Sequence, residues 1–122
     1  MDGGVDAAYV QYFGASIERK VREAIGQREE GYLPVGASVL ISTGDLRIPW
    51  LIVAPTMEMP EFVEREHCYR AMRAILRVAQ TGKDCVSDVY CPGLGTGVGG
   101  VRAEDAAEMM ARAYRDWKQA VA

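Results

Sequence analysis

Residues 91–101 read Cys-Pro-Gly-Leu-Gly-Thr-Gly-Val-Gly-Gly-Val and place five glycines within the eight positions 93–100. A strand-like run, Val86 to Cys91, leads into them and a helix-like run leads out. Glycine reaches positive φ and lets a neighbouring group come close to the backbone. At a strand-to-helix junction, such a loop turns several backbone N–H groups toward one point, which is a way to hold a diphosphate without spending lysines. A plain connection needs one or two glycines, and extra ones cost about 1 kcal/mol each beside helix-compatible residues.

The rest of the chain gives this junction a setting. A short helix is expected from the Asp2-Gly3-Gly4-Val5-Asp6 opening to Phe13, with Gly14 ending it. Ser16 reads as the N-cap of a second helix, on which Ile17, Val21, Ala24 and Ile25 recur at helical spacing until Gly31. Ala37 to Thr43 is rich in β-branched residues, and Trp50 to Ala54 is a continuous apolar run, so two strands joined by a short loop are expected. The second run lacks polar alternation and reads as buried on both faces. After Pro55 and Pro60, an apolar stripe of Phe62, Val63, Tyr69, Met72, Ile75, Leu76 and Ala79 predicts a helix down to Thr81-Gly82. Val86 to Cys91 is the third expected strand, and Asp105 to Val121 the last helix. Strands and helices interleave, so the fold class is α/β with a layered sheet. The length suits one domain over residues 1–122.

Composition narrows the function classes. A formal net charge of -3 argues against a general nucleic-acid binder, which presents a basic face. No apolar run approaches the roughly 20 residues that span a membrane, and no signal-peptide pattern follows Met1. Cys68, Cys85 and Cys91 form no Cys-x-x-Cys pair and read as reduced thiols of a cytoplasmic protein. With His67 as the single histidine, no metal site is expected.

Gly95, Gly97 and Gly100 satisfy the G-x-G-x-x-G dinucleotide fingerprint, but one helix follows and the chain stops. The acidic residue about twenty positions on is Asp116, inside that helix, so the Rossmann reading fails on position. A Walker loop fails because no Lys-Ser or Lys-Thr follows the glycines. Glu104 and Asp105 open the last helix and suit its positive end. An anion would then depend on the loop amides.

Three segments, in order, resemble a macro domain, the module that binds ADP-ribose. Asp2-Gly3-Gly4-Val5-Asp6-Ala7-Ala8 with Gly14 resembles that family's Gly-Gly-Gly-Val-Asp-Gly-Ala-Ile-His segment and its later glycine. Leu33-Pro34-Val35-Gly36-Ala37, with the strand pair that runs on into Ala54-Pro55-Thr56, resembles its Leu-Pro-x-Gly strand pair. Pro92 to Gly100 resembles its Pro-x-x-Ser-Thr-Gly-x-x-Gly phosphate loop. The resemblance implies a three-layer α/β/α mixed sheet. It implies that the amides of Gly95, Thr96, Gly97, Val98 and Gly99 hold the diphosphate and distal ribose, while Gly3, Gly4 and Val5 close over the diphosphate. Asp6 is similar to the acid that orients water in hydrolytic members. No cofactor is implied.

The departures matter as well. Val10 stands where the family often has histidine, Gly99 where it often has Phe or Tyr near the distal ribose, and Arg102 where it often has proline. In the family, two strands precede the Gly-Gly-Val segment and supply an Asp for adenine and an Asn beside the distal ribose. This chain begins inside the corresponding ribose loop, so it reads as incomplete at the N-terminus, through an internal start methionine or an incomplete copy. One absent strand is expected to lie between those at 50–54 and 86–91. Three functions follow: ADP-ribose binding, hydrolysis of ADP-ribosyl linkages through Asp6, or a non-catalytic homo-oligomer joined through unpaired strand edges. His67 reads as a surface residue, Cys91 as a buried small side chain, and Arg47 and Arg102 as weaker phosphate partners.

Overall fold

A computed structural model describes residues 4–121. Six elements follow one another: α1 (Gly4–Phe13), α2 (Ser16–Gly26), β1 (Val39–Ser42), β2 (Trp50–Val53), α3 (Glu66–Thr81) and α4 (Ala103–Val121). The α/β class expected from the sequence stands. The sheet among the described residues is one antiparallel pair, Val39 opposite Val53 and Ser42 opposite Trp50.

The helices form where apolar positions recur at three and four residues, with boundaries that depart from expectation. Gly14 does end α1: at φ 91° its N–H bonds the Val10 carbonyl at 2.9 Å. Ser16 is the first helical residue of α2 rather than its cap; Ala15 holds that position and no side chain bonds the free amides. The helix stops at Gly26, and Gly31 instead takes φ 77° in a separate turn closed by its N–H on the Arg28 carbonyl. α3 starts at Glu66, four residues after the first member of its expected stripe, because Phe62 and Val63 are used elsewhere.

The third strand is the main correction. Residues 86–91 carry no ladder, and Val89 and Tyr90 are exposed. An isolated run of β-branched residues gains nothing from its propensity without a neighbour to bond. The three-layer mixed sheet is thus reduced, among the described residues, to a single pair with one side of β2 unpaired. For the same reason β2 is not buried on both faces: Leu51 is buried, while Trp50, Ile52 and Val53 are half-covered.

The core lies between α3 and α4. Cys68, Ala71 and Ile75 of α3 meet Ala106 and Met109 of α4, with Leu94 and Val101 between them. Ala71 is wholly buried, and its small side chain lets the neighbouring groups approach closely. Tyr69 donates to the Asp116 carboxylate at 2.6 Å, which pins α3 to α4 and pushes the phenol pKa up. Ser38 donates to the Ala74 carbonyl at 2.8 Å and ties the entry of β1 to α3.

The β1–β2 connection is an aspartate turn. Asp45 Oδ1 accepts the N–H groups of Ile48 at 2.9 Å and Arg47 at 2.8 Å, which holds its carboxyl below the ordinary aspartate range. Because the folded pKa is lowered, this contribution to stability is present above the unfolded value and is lost as pH falls through the folded one. We expect Asp45→Asn to melt below the parent chain at neutral pH, with the gap closing as the pH drops under about 4. Thermal melts by circular dichroism across that range test this; a gap independent of pH rules it out.

Candidate functional site

The glycine-rich segment is a loop pinned at both ends with an exposed crest. Leu94 and Val101 are buried and anchor it in the core. The Cys68 thiol donates to the Leu94 carbonyl at 3.0 Å, and the Val101 N–H reaches back to the Gly95 carbonyl at 3.0 Å. From outside, the Val63 N–H bonds the Gly99 carbonyl at 3.0 Å. Burial pushes the Cys68 thiol pKa up, so this sulfur is a packing group with a weak donor rather than a nucleophile.

Most of the loop's glycines answer needs internal to the fold. Gly95 takes φ 74°, and a Cβ there would lie 3.0 Å from the Cys68 sulfur. At Gly99 a Cβ would fall 2.7 Å from the Gly95 carbonyl oxygen, a backbone atom that cannot yield. Gly100 takes φ 69° beneath Phe62, whose ring carbon would be 2.6 Å from an added Cβ. Gly93 lies against the Thr96 side chain at 3.3 Å. Gly97 differs: its φ is not positive, and nothing stands within 4 Å of where its Cβ would be.

The amides divide in the same way. Thr96 N–H leans on the Gly93 carbonyl at 3.4 Å and Gly100 N–H bonds the Gly97 carbonyl at 3.0 Å. Gly97, Val98 and Gly99 have N–H groups with no partner among the described residues. The Gly95 N–H is likewise unspent. Two of these donors, at Gly97 and Val98, lie on the exposed crest, while Gly99 is buried behind it; exposed backbone donors of this kind are open to solvent or to an anion. Arg102 does not join them; it pairs with Glu104 at 3.4 Å, both side chains exposed.

Of the opening segment, Gly3 lies outside the described residues, and Gly4 and Val5 contribute backbone to the first turn of α1. Asp6 is exposed in that turn, with no hydrogen bond or ion pair among the described residues. Tyr9, one turn later, has its phenol pKa raised, chiefly by burial. Cys91 is half-buried, and burial pushes its thiol pKa up. His67 is not a surface residue: it is half-buried, and its Nδ1–H donates to the Thr56 carbonyl at 3.0 Å. Arg47 is exposed in the β1–β2 turn.

Phe62 was hidden from sequence reasoning. It stands 87% exposed on the Gly100 backbone at the edge of the loop. An apolar stripe assigns it to the helix face; the available signal was the Glu64-Arg65-Glu66 run, which suits a helix start better than an interior. No cluster of metal-ligating side chains occurs among the described residues, and no helix there is long and apolar enough to cross a membrane.

A family model described as Macro domain matches residues 1–110. The chain belongs to the macro domain family. Members of that family generally bind ADP-ribose. The macro domain is 41% identical over 119 residues to an uncharacterized protein of Aquifex aeolicus, covering 97% of this chain and 67% of the relative. An uncharacterized protein of Aeropyrum pernix is 32% identical, with 93% and 56% covered. The Listeria monocytogenes "Macro domain-containing protein lmo2759" is 32% identical, with 96% and 65% covered. The chain thus spans between 56% and 67% of the length of these relatives.

The loop geometry separates glycines needed by the fold from the one that is not. Gly99→Ala should lower stability by about 1–3 kcal/mol, in the range of overpacking. Gly97→Ala should be neutral or stabilising by up to about 1 kcal/mol. Urea unfolding of the pair checks this, and equal losses at both positions contradict it.

Proposed function

We propose that residues 1–122 act as one macro-domain unit that binds ADP-ribose, or a related ADP-ribosyl nucleotide, in the cytoplasm. The observation that carries this is the row of unspent amides at Gly97, Val98 and Gly99, on a loop whose central glycine has no steric reason inside the fold. In this reading these donors, with that of Gly95, take the diphosphate and distal ribose; Thr96 lends its exposed side chain at the crest. Gly3, Gly4 and Val5 close over the diphosphate from the N-terminal side. Phe62 supplies the aromatic surface that Gly99 cannot, from the segment before α3 that lies against Gly100.

Calorimetry with ADP-ribose tests the reading. Binding is expected, and Gly97→Glu should weaken it by more than about tenfold, or 1.4 kcal/mol. Gly97 has room for the substitution, so the variant should still fold. Absence of heat at millimolar ADP-ribose removes the proposal. Light scattering on the same samples separates it from a constitutive dimer formed through the unpaired side of β2, which would show no ligand-dependent rise in melting temperature.

A second reading, hydrolysis of an ADP-ribosyl linkage, rests on Asp6, an exposed carboxylate beside Tyr9 and unpaired among the described residues. Asp6 would orient the attacking water while the loop amides stabilise phosphate charge. Asp6→Ala should then reduce turnover of an ADP-ribosylated protein by about 100-fold or more while leaving ADP-ribose affinity within a few-fold. Unchanged turnover, or none in the parent chain, sinks this mechanism.

A further inference from the structure

The two long faces of α3 are chemically opposite. Cys68, Ala71 and Ile75 form the face that meets the glycine loop and α4. Arg70, Arg73 and Arg77 repeat the same spacing, and at 100° per residue their stripe lies roughly 160° around the helix. That side borders a cleft of about 530 Å3, walled by the 34–37 turn, Tyr69 and the three arginines.

The cleft is assembled rather than a chance cluster of surface charge. Gly36 takes φ 97°, and a Cβ there would lie 3.3 Å from the Arg70 guanidinium, so the turn presses its backbone against the arginine. Arg70 donates to the Val35 carbonyl at 2.8 Å and Arg77 to the Gly36 carbonyl, 2.6 Å away. Those bonds fix two guanidinium groups and spend one donor in each of the five-donor forks. Arg73, between them and half-buried, makes a single long contact to the Tyr69 hydroxyl at 3.4 Å. That hydroxyl is itself held by Asp116.

Fastening the turn explains one donor in Arg70 and one in Arg77. It does not explain Arg73, which lines the same cleft, bonds no turn carbonyl and has no carboxylate within 4.0 Å among the described residues. Arg22, Arg28, Arg65 and Arg102 each meet a glutamate or aspartate, whereas Arg19, Arg47, Arg112 and Arg115 do not among the described residues; what sets Arg70, Arg73 and Arg77 apart is that they line one cleft together. The residues lining the cleft include no carboxylate; the nearest acid to Arg73 through a bond is Asp116, which stands behind Tyr69 and is engaged by its hydroxyl. Like charges gathered without counter-charge raise the free energy of the empty site and lower it when an anion enters.

We propose that the Arg70–Arg73–Arg77 cleft is a second anion site, separate from the glycine loop, that takes a small multiply charged phosphate anion. Planar guanidinium forks suit phosphate oxygens in bidentate geometry. A polymeric phosphate backbone is disfavoured because the basic surface is one short stripe closed by a turn, on an acidic chain, rather than an extended track.

Inorganic pyrophosphate is the probe, titrated by calorimetry into the Gly97→Glu chain so that the glycine loop is blocked. Binding is expected there, weakening steeply with added salt, and Arg73→Gln in the same background should cost at least tenfold in Kd. Arg73 is chosen because it does not hold the turn. In parallel, the arginine Nε–H NMR signals of the unmutated chain should shift on titration for Arg70, Arg73 and Arg77. The proposal fails if pyrophosphate moves only glycine-loop amides, or if Arg73→Gln leaves the affinity unchanged. It also fails if a short single-stranded oligonucleotide binds through these arginines and pyrophosphate cannot compete.

Discussion

The contact on which the rest of this molecule depends is the close seating of the glycine loop on α3. Leu94 and Val101 enter the core against Cys68 and Ala71, whose small side chains leave the space. A larger group at Ala71, at no measurable exposure, would lift the anchors and with them the crest between. The loop has no charged side chain of its own among residues 93–101, so its ability to meet an anion rests on where its backbone points. Backbone direction is in turn set by the two anchors, the Cys68 thiol and the Val63 amide. Packing and site are therefore one problem in this fold, solved on one face of one helix.

Much of this was legible in the sequence, and the reasons differ by element. Gly14, Gly44 and the glycines at 95 and 100 occupy positions of positive φ, and glycine punctuation is a local signal that needs no partner to be read. The helical stripes were readable for the same reason, since 3.6-residue periodicity is carried by each segment alone. What was not legible depended on distant residues. The 86–91 run has every compositional mark of a strand, yet a strand exists only through a neighbour, and none of the described residues supplies one. Phe62 looked like the first turn of a helix because periodicity cannot distinguish an apolar residue that packs on its own helix from one that turns back onto a loop.

The site divides along similar lines. The loop amides were expected from composition, but the division among them was not. Internal bonds occupy Thr96 and Gly100 and spare Gly97, Val98 and Gly99. The distinction between Gly97 and Gly99 is invisible in a string of letters; it appears only when the space beside each α-carbon is known. The arginines of α3 gave no sequence signal, because basic residues on the polar face of an amphipathic helix are ordinary. Their meaning came from the 34–37 turn, brought against them from 35 residues earlier by the Arg70–Val35 bond.

One consequence concerns how the site comes into being. The Cys68–Leu94 bond closes over 26 residues, and α3, the loop and α4 form one unbroken stretch of chain. Bringing such ends together carries a modest entropic cost that grows only slowly with length. The strand pair at 39–53 meets this stretch through Ile52, which packs on the core, and through the adjoining Ser38 bond. The crest of the loop thus belongs to a contiguous stretch of chain, so its geometry is held by contacts made within residues 63–109 and needs no strand partner to be set.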